Sequence, residues 1–234
     1  MKKQIYYRAL FYVVGLLILA MGLTLNTKTG LGVSPIISVS YSTSEIFGCN
    51  FGDMTMVLYC IFVAVELVLH FVRGRTSPQK NQKLILLMDI LQIPLSLIFT
   101  RFLNLFGAFL PDFSSGTDSW DQNFPLRLLV LILAIVCTGV GAAMSLSMRI
   151  VPNPGDGIVQ AIADCIHKNV GFTKNCFDLL NITITITLGL LLADRLVGVG
   201  IGTVLAVIGV GRVIALFQHL AGKKMSTLSG VAIS

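Results

Sequence analysis

The sequence predicts an all-α membrane protein, a six-span helical bundle built from two inverted three-span repeats. Of its 234 residues, 55% are hydrophobic and only 12% are charged, whereas a soluble domain carries about 25% charged residues. Apolar runs approaching the length of about 20 residues that crosses a bilayer recur six times. Two further segments begin at Gly/Pro-rich turns and are too short to span, which gives each half of the chain one short broken helix.

The six predicted spans follow from these apolar runs, which lie at 9–25, 54–72, 84–106, 126–148, 176–193 and 199–220. In the fourth span the string of small residues at 139–143 favours close helix packing. The five cysteines are scattered without CxxC spacing, so they predict neither a disulfide framework nor a zinc site.

The two short helices are predicted over about 35–47 and about 154–170. They follow the sequences GLGVSP at 30–35 and VPNPGDG at 151–157. Their lengths, about 13 and 16 residues, fit re-entrant or interfacial helices better than spans. The sequence leaves both placements open.

The chain therefore divides into a first repeat (1–107), an extracytoplasmic loop (108–124), a second repeat (125–222) and a cytoplasmic tail (223–234). Three spans per repeat is an odd number, so the second repeat is expected upside down relative to the first. Paired broken segments in inverted repeats point to a transporter-like binding site near the midplane.

The distribution of charge predicts the orientation. With the N-terminus inside, the extracytoplasmic side keeps only Lys28, Arg127 and Arg195. The cytoplasmic side collects 12 of the 17 basic residues: Lys2, Lys3, Arg8, Arg73, Arg75, Lys80, Lys83, Arg149, Lys168, Lys174, Lys223 and Lys224. This positive-inside bias predicts a multi-pass plasma-membrane protein with both termini cytoplasmic. It also explains the net charge of +6 without a nucleic-acid partner.

Three motifs resemble the bacterial YczE/YyaS/YitT family of integral membrane proteins: GLGVSP at 30–35, PGDGI at 154–158, and GIGT at 200–203 followed by GVG at 209–211. The resemblance covers about residues 15–217 and implies a multi-span helical bundle. It also implies a loose association with transport or regulation. Arg212 departs from the pattern, since members often carry Pro or a small residue there.

Candidate substrate-binding residues lie at the two Gly/Pro breaks and on the short helices: Ser34, Pro35, Ser38, Asn153, Gly155, Asp156, Gly157 and Gln160. Asp156 has two interpretations. It could cap the following helix by accepting a backbone hydrogen bond, worth about 1 kcal/mol. Alternatively, the glycines on either side of it could let a ligand approach the helix N-terminus.

Candidate polar residues inside the spans are Asp89, Gln92, Asp178, Asn181 and Arg212. A charge at the centre of a bilayer costs about 2.5–3.5 kcal/mol on insertion scales, so each needs a partner or a water-filled cavity. The favoured explanation is pairing: Asp89 with Lys83, Asp178 with Lys174 at i, i+4, and Glu66 with His70 at i, i+4. Arg212 could reach the interface or neutralise Asp89 or Asp178.

The leading function hypothesis is a small-solute transporter with a cavity lined by the two broken helices. The alternative is a regulatory or accessory membrane protein that recruits a partner through its basic cytoplasmic face. No HExxH, Ser/His/Asp, phosphate-loop or metal-ligand spacing occurs, so we expect no enzyme activity, cofactor or metal. The expected partners are the lipid bilayer, an unidentified small solute and, as one possibility, further copies of the chain.

Overall fold

The computed structural model describes residues 2–76, 81–113 and 124–231. Within these ranges the chain forms eight helices and no strands. In chain order they are α1 (Lys2–Lys28), α2 (Pro35–Phe47), α3 (Phe51–Thr76), α4 (Gln82–Phe109), α5 (Phe124–Ser147), α6 (Pro154–Ile166), α7 (Val170–Ala193) and α8 (Ile201–Ser229).

Six of these helices, all but α2 and α6, are long and apolar enough to cross a membrane. Their outward faces carry large apolar side chains that no protein covers; on α3, Ile61 and Val68 are 54% and 61% exposed. So much exposed apolar surface is stable only against lipid. The predicted all-α bundle of six spans is therefore confirmed.

Several boundaries differ from the apolar runs, because helices continue past the hydrocarbon layer into the polar zone. The predicted short helix 154–170 is too long: α6 ends at Ile166, and His167 takes the left-handed conformation. Asn169 then caps α7, which begins at Val170 rather than at 176. Helix α8 continues to Ser229, into the segment 223–234 predicted as a cytoplasmic tail. Most of the predicted loop 108–124 and Lys80 lie outside the described residues.

Helices α1 and α5, the first span of each half, form the most extensive helix pair. Small residues let their backbones touch. A Cβ at Gly22 would clash with the backbone of Thr138, and a Cβ at Gly141 would clash with the backbone of Leu19. The close packing predicted for 139–143 is present, and α1–α5 is the main seam between the halves.

Basic residues are found at both ends of the bundle, and one end is named after them. At one end, here called the basic end, Arg8 donates to the carbonyl oxygens of Met148 and Arg149 at 2.7 and 2.6 Å. The end of α8 reaches the same end of the bundle, where Gly230 lies against Gln4 of α1, and this brings Lys223 and Lys224 near it. At the opposite end, Arg127 donates to the carbonyl of Thr29.

Both short helices have the arrangement of re-entrant helices relative to the bundle, and their placement in a membrane stays a prediction. The chain enters and leaves α2 at the opposite end, where Lys28 and Asn50 line one vestibule. The first turns of α2 and α6 nevertheless lie deep in the bundle: Ile37 is 0% and Ile158 1% exposed. Each loop therefore folds back inward, and each short helix then runs outward to its own end.

Some helix pairs correspond when the halves are exchanged, although among the described residues the extensive α3–α4 pair has no comparable α7–α8 counterpart. Helix α2 packs against α7 as α6 packs against α3, and α1 against α4 as α5 against α8. The short helices thus cross over and tie the two halves together. The inverted relation of the repeats stays a prediction.

Candidate functional site

The N-termini of the two re-entrant helices meet in the middle of the bundle. Gly155 in the first turn of α6 lies against Ile36 in the first turn of α2, and a Cβ at 155 would stand 2.7 Å from Ile36 Cγ1. Both helices start with proline at the first position, where the missing N–H costs nothing and φ is already helical. The two breaks predicted from sequence are thus brought into contact.

The loop that leads to α2 is fixed by hydrogen bonds to neighbouring segments. The Ser34 N–H donates to Asn26 Oδ1 at 3.0 Å, and the Val33 N–H donates to the carbonyl of Gly198 at 2.9 Å. Gly32 has φ +106° and lies so close to Gly200 that no Cβ fits. Glycine is therefore required at this turn.

The cap of α6 is Asn153, whose side chain accepts from the Gly155 N–H at 3.2 Å. The interpretation of Asp156 as the cap is wrong, because Asn153 occupies the N-cap and Asp156 lies inside the first turn. The Asp156 carboxylate is left available to the space between the two helix N-termini.

A small central cavity of about 50 Å³ lies where these N-termini meet, enough room for a few water molecules. It is surrounded by residues from the middle of α1, α3, α5 and α8. The polar lining residues are Ser34, Tyr59, Thr138, Asn153, Asp156 and Lys174. The Tyr59 and Asn153 side chains thus both face this cavity.

Two wider vestibules lie toward the two ends of the bundle. The outer vestibule, about 410 Å³ at the end away from the basic residues, is lined by Lys28, Glu45 and Asp112 among others. The inner vestibule, about 500 Å³ at the basic end, is lined by Arg149, Pro152 and Gln160 among others. Each vestibule is larger than the central cavity.

One cation and two carboxylates determine the charge beside the central cavity. Lys174 Nζ lies 3.2 and 3.1 Å from the two oxygens of Asp178, which is 3% exposed. This confirms the predicted i, i+4 pair. Asp156 interacts electrostatically with both, and burial raises the pKa of its carboxyl while Lys174 opposes that rise. Asp156 and Lys174 thus line the cavity itself, and Asp178 holds the Lys174 ammonium from the next turn of α7.

A second polar cluster, here called the carboxylate–histidine cluster, lies between α3, α4 and α6 and consists of Glu66, His70, Asp89 and Gln92. His70 Nδ1 lies 2.7 Å from Asp89 Oδ2, and Gln92 Nε2 donates to Glu66 Oε1 at 2.9 Å. The favoured pairings of Asp89 with Lys83 and of Glu66 with His70 are wrong, because helix packing offers both acids closer partners on the facing helix.

Gly157 lines this cluster from the re-entrant helix. A Cβ there would stand 2.8 Å from Glu66 Oε2 and 3.1 Å from Gln92 Oε1. Both of these oxygens are buried without a hydrogen-bond partner. Successive residues of α6 thus face different sites: Asp156 faces the central cavity, and Gly157 faces the carboxylate–histidine cluster.

Comparison with known proteins supplies a family. A model of the family of unknown function DUF6198 matches residues 6–219. The chain belongs to this family. It is 26% identical over 180 residues to the uncharacterized membrane protein YczE of Bacillus subtilis (strain 168), covering 76% of this chain and 74% of that protein. It is 25% identical over 212 residues to the uncharacterized protein YyaS of the same organism, covering 90% and 92%. No solved structure matches.

Membership of DUF6198 confirms the resemblance to YczE and YyaS, and six spans fit a membrane protein.

Of the predicted binding residues, Ser34, Asn153, Gly155 and Asp156 line the central cavity. The other half of the predicted set is placed elsewhere: Pro35 is buried beside the cavity, Ser38 bonds Thr185 at 2.8 Å, Gly157 faces the cluster, and Gln160 lines the inner vestibule.

The polar residues predicted inside the spans have mixed outcomes in this DUF6198 member. Asp89 and Gln92 belong to the carboxylate–histidine cluster. Asn181 donates to the carbonyl of Phe177 within its own helix, a bond that uses the side chain locally. Arg212 is exposed on α8. Of the two alternatives for Arg212, the neutralisation of Asp89 or Asp178 is contradicted, because those acids pair with His70 and Lys174.

Sequence reasoning missed Glu66, His70 and Tyr59 as site residues and expected no metal ligands. Glu66 and His70 share a helix face at i, i+4, a spacing that also suits two ligands of one ion. The missing information was the partner Asp89, which the α3–α4 packing brings opposite His70. Tyr59 offers no signal in sequence, since an aromatic residue in a span is usually packed against lipid or core.

Proposed function

We propose that this protein is a small-solute transporter of the plasma membrane whose binding site is the central cavity. The observation that carries the proposal is the meeting of the α2 and α6 N-termini in mid-bundle, with a wide vestibule toward each end. Discontinuous helices that meet near the midplane commonly form the binding sites of secondary transporters.

The charge of the cavity supports a substrate class. Asp156 and Lys174 line the cavity, and Lys174 is already paired with Asp178. The Tyr59 hydroxyl and the Asn153 amide add hydrogen-bonding groups. A small cation, or a small solute rich in hydrogen-bond donors, complements this lining. An anion would meet the Asp156 carboxylate.

The packing supports a mechanism in which one half rocks against the other. The α1–α5 seam brings backbones into direct contact at Gly22 and Gly141, which gives the two halves a close-packed pivot. Rocking about this seam would widen the cavity toward one vestibule while it narrows toward the other.

The test is a thermal-stabilisation screen on purified protein with small amines, guanidinium compounds, amino acids and inorganic cations. A solute at 100 times its Kd stabilises the folded state by about 2.7 kcal/mol, which raises the Tm. We expect a stabilising solute for wild type and its loss in Asp156→Asn. The matched control is Asp164→Asn, which removes a half-exposed carboxylate from the same helix. Absence of any stabilising solute, with capture of a cytoplasmic protein by the basic end, would favour the adaptor hypothesis instead.

A further inference from the structure

We propose that the carboxylate–histidine cluster is a binding site for a divalent transition-metal cation, with Glu66, His70 and Asp89 as ligands and Gln92 as an additional oxygen donor. One ligand atom from each of Glu66, His70 and Asp89 lies within 4.8 Å of the others. Two helices supply them, α3 with Glu66 and His70 and α4 with Asp89. The site is separate from the central cavity and does not depend on the proposed transport function.

Two unsatisfied oxygens provide an observation independent of the ligand spacing. Glu66 Oε2 and Gln92 Oε1 are buried without any hydrogen-bond partner, although Glu66 is only 2% and Gln92 0% exposed. A buried polar atom left unpaired costs about 1–3 kcal/mol, more when it is charged. A cation bound by these oxygens would remove that cost.

A bound cation would also balance the charge of the cluster. Glu66 and Asp89 place two carboxylates between spans, where an uncompensated charge is expensive. The basic residue one turn beyond His70 is Arg73, which is paired with Asp164 at 2.6 Å. A divalent ion beside a neutral His70 would neutralise both carboxylates at once.

The donor set indicates the class of metal. An imidazole nitrogen with carboxylate and amide oxygens suits Zn²⁺, Mn²⁺ or Fe²⁺, whereas Mg²⁺ and Ca²⁺ prefer all-oxygen shells and Cu(I) prefers sulfur. His70 Nδ1 and Asp89 Oδ2, now 2.7 Å apart, share a proton. Metal binding would displace that proton, as ligation at histidine generally does.

Gly157 places the re-entrant helix α6 against the proposed metal site. Its missing side chain leaves the space in which Glu66 Oε2 and Gln92 Oε1 converge. A metal here would join α3 to α4 directly beneath the first turn of α6. Occupancy would therefore stiffen the wall that supports the central cavity.

The experiment measures metal content and affinity of full-length protein purified without a histidine tag, using Zn²⁺ and Mn²⁺ as probes and Mg²⁺ for comparison. We expect one Zn²⁺ or Mn²⁺ per chain, and at least tenfold weaker binding in Glu66→Gln and in Asp89→Asn. The control Asp178→Asn removes a buried carboxylate paired with Lys174 and should leave metal binding unchanged.

Two results would overturn the site. One is the absence of stoichiometric Zn²⁺ or Mn²⁺ on folded wild-type protein, which needs no variant and so cannot be confused with misfolding. The other is metal binding that survives both substitutions, which would place the ion on surface histidines such as His167 or His219. Neither result bears on the solute screen, so the two proposals fail independently.

Discussion

The carboxylate of Glu66 packs directly against Gly157, so closely that a Cβ at position 157 would lie 2.8 Å from Oε2. This contact joins the carboxylate–histidine cluster of α3 and α4 to the first turn of the re-entrant helix α6. The preceding residue, Asp156, lines the central cavity. One turn of helix thus supports both proposed sites, and neighbouring substitutions can separate them.

The first prediction uses two glycines of that turn as a crossed pair. Gly157→Ala should weaken Zn²⁺ binding at least tenfold, because the new Cβ displaces the Glu66 carboxylate. Gly155→Ala places its Cβ 2.7 Å from Ile36 Cγ1 on the other side, so it should narrow the central cavity and abolish solute stabilisation while metal binding persists. Metal titration and the thermal screen are run on both variants. Equal effects of both variants on both readouts would contradict the separation of the sites.

A second prediction concerns the seam between the halves. Gly141→Ala should lower the free energy of unfolding by about 1–3 kcal/mol, the usual cost of overpacking, because its Cβ would clash with the backbone of Leu19. Gly211→Ala is the matched control within a span. No protein atom lies within 4 Å of a Cβ there, so Ala should be neutral or stabilising. Denaturant unfolding in detergent measures both, and equal stability of the two variants would count against the seam.

A third prediction is a pH dependence of stability. Burial raises the folded-state pKa of Asp156. This carboxyl therefore contributes stability that is full below its unfolded-state pKa, about 3.9, and is lost as pH rises through the folded-state pKa. Asp156→Asn should remove this loss, so its Tm advantage over wild type should grow as pH rises from about 4 to 7. A Tm difference that stays constant over this range would show that burial does not perturb Asp156, and Asp164→Asn serves as the control.

A fourth prediction tests the sidedness of the two vestibules. In a variant lacking the exposed Cys49, Glu45→Cys in the outer vestibule should react with a membrane-impermeant thiol reagent on intact cells. Gln160→Cys in the inner vestibule should react only after permeabilisation, because α6 opens toward the basic end. Labelling of both from one side would refute the opposed re-entrant helices.

Sequence patterns predicted the re-entrant helices better than the buried acids. Proline after a Gly-rich or Asn-containing turn marks the start of α2 and α6 whatever surrounds them, since it fixes φ and needs no N–H partner. Asp89, in contrast, has several candidate partners in sequence. Lys83 is nearer along the chain, but only the α3–α4 packing brings His70 to 2.7 Å.

The interpretation of Asp156 as the N-cap of α6 was wrong for a related reason. Asn153 and Asp156 are both good caps in isolation, and the structure assigns the cap to Asn153 because Pro154 takes the first helical position. The partial match of the predicted binding set has the same origin. Residues adjacent in sequence, such as Asp156 and Gly157, point to different neighbours on a helix.

The sequence by itself determined the six spans, the two broken helices and the basic end. Hydropathy, proline and charge specify these features through the order of residues along the chain, without knowledge of which helices touch. Tertiary structure alone decided that the helix N-termini meet at a central cavity, and that Glu66, His70, Asp89 and Gln92 form one cluster. Both features depend on which helices touch. Glycines allow those contacts. Gly141 lets the backbones of α1 and α5 touch, and Gly157 leaves room for the Glu66 and Gln92 side chains.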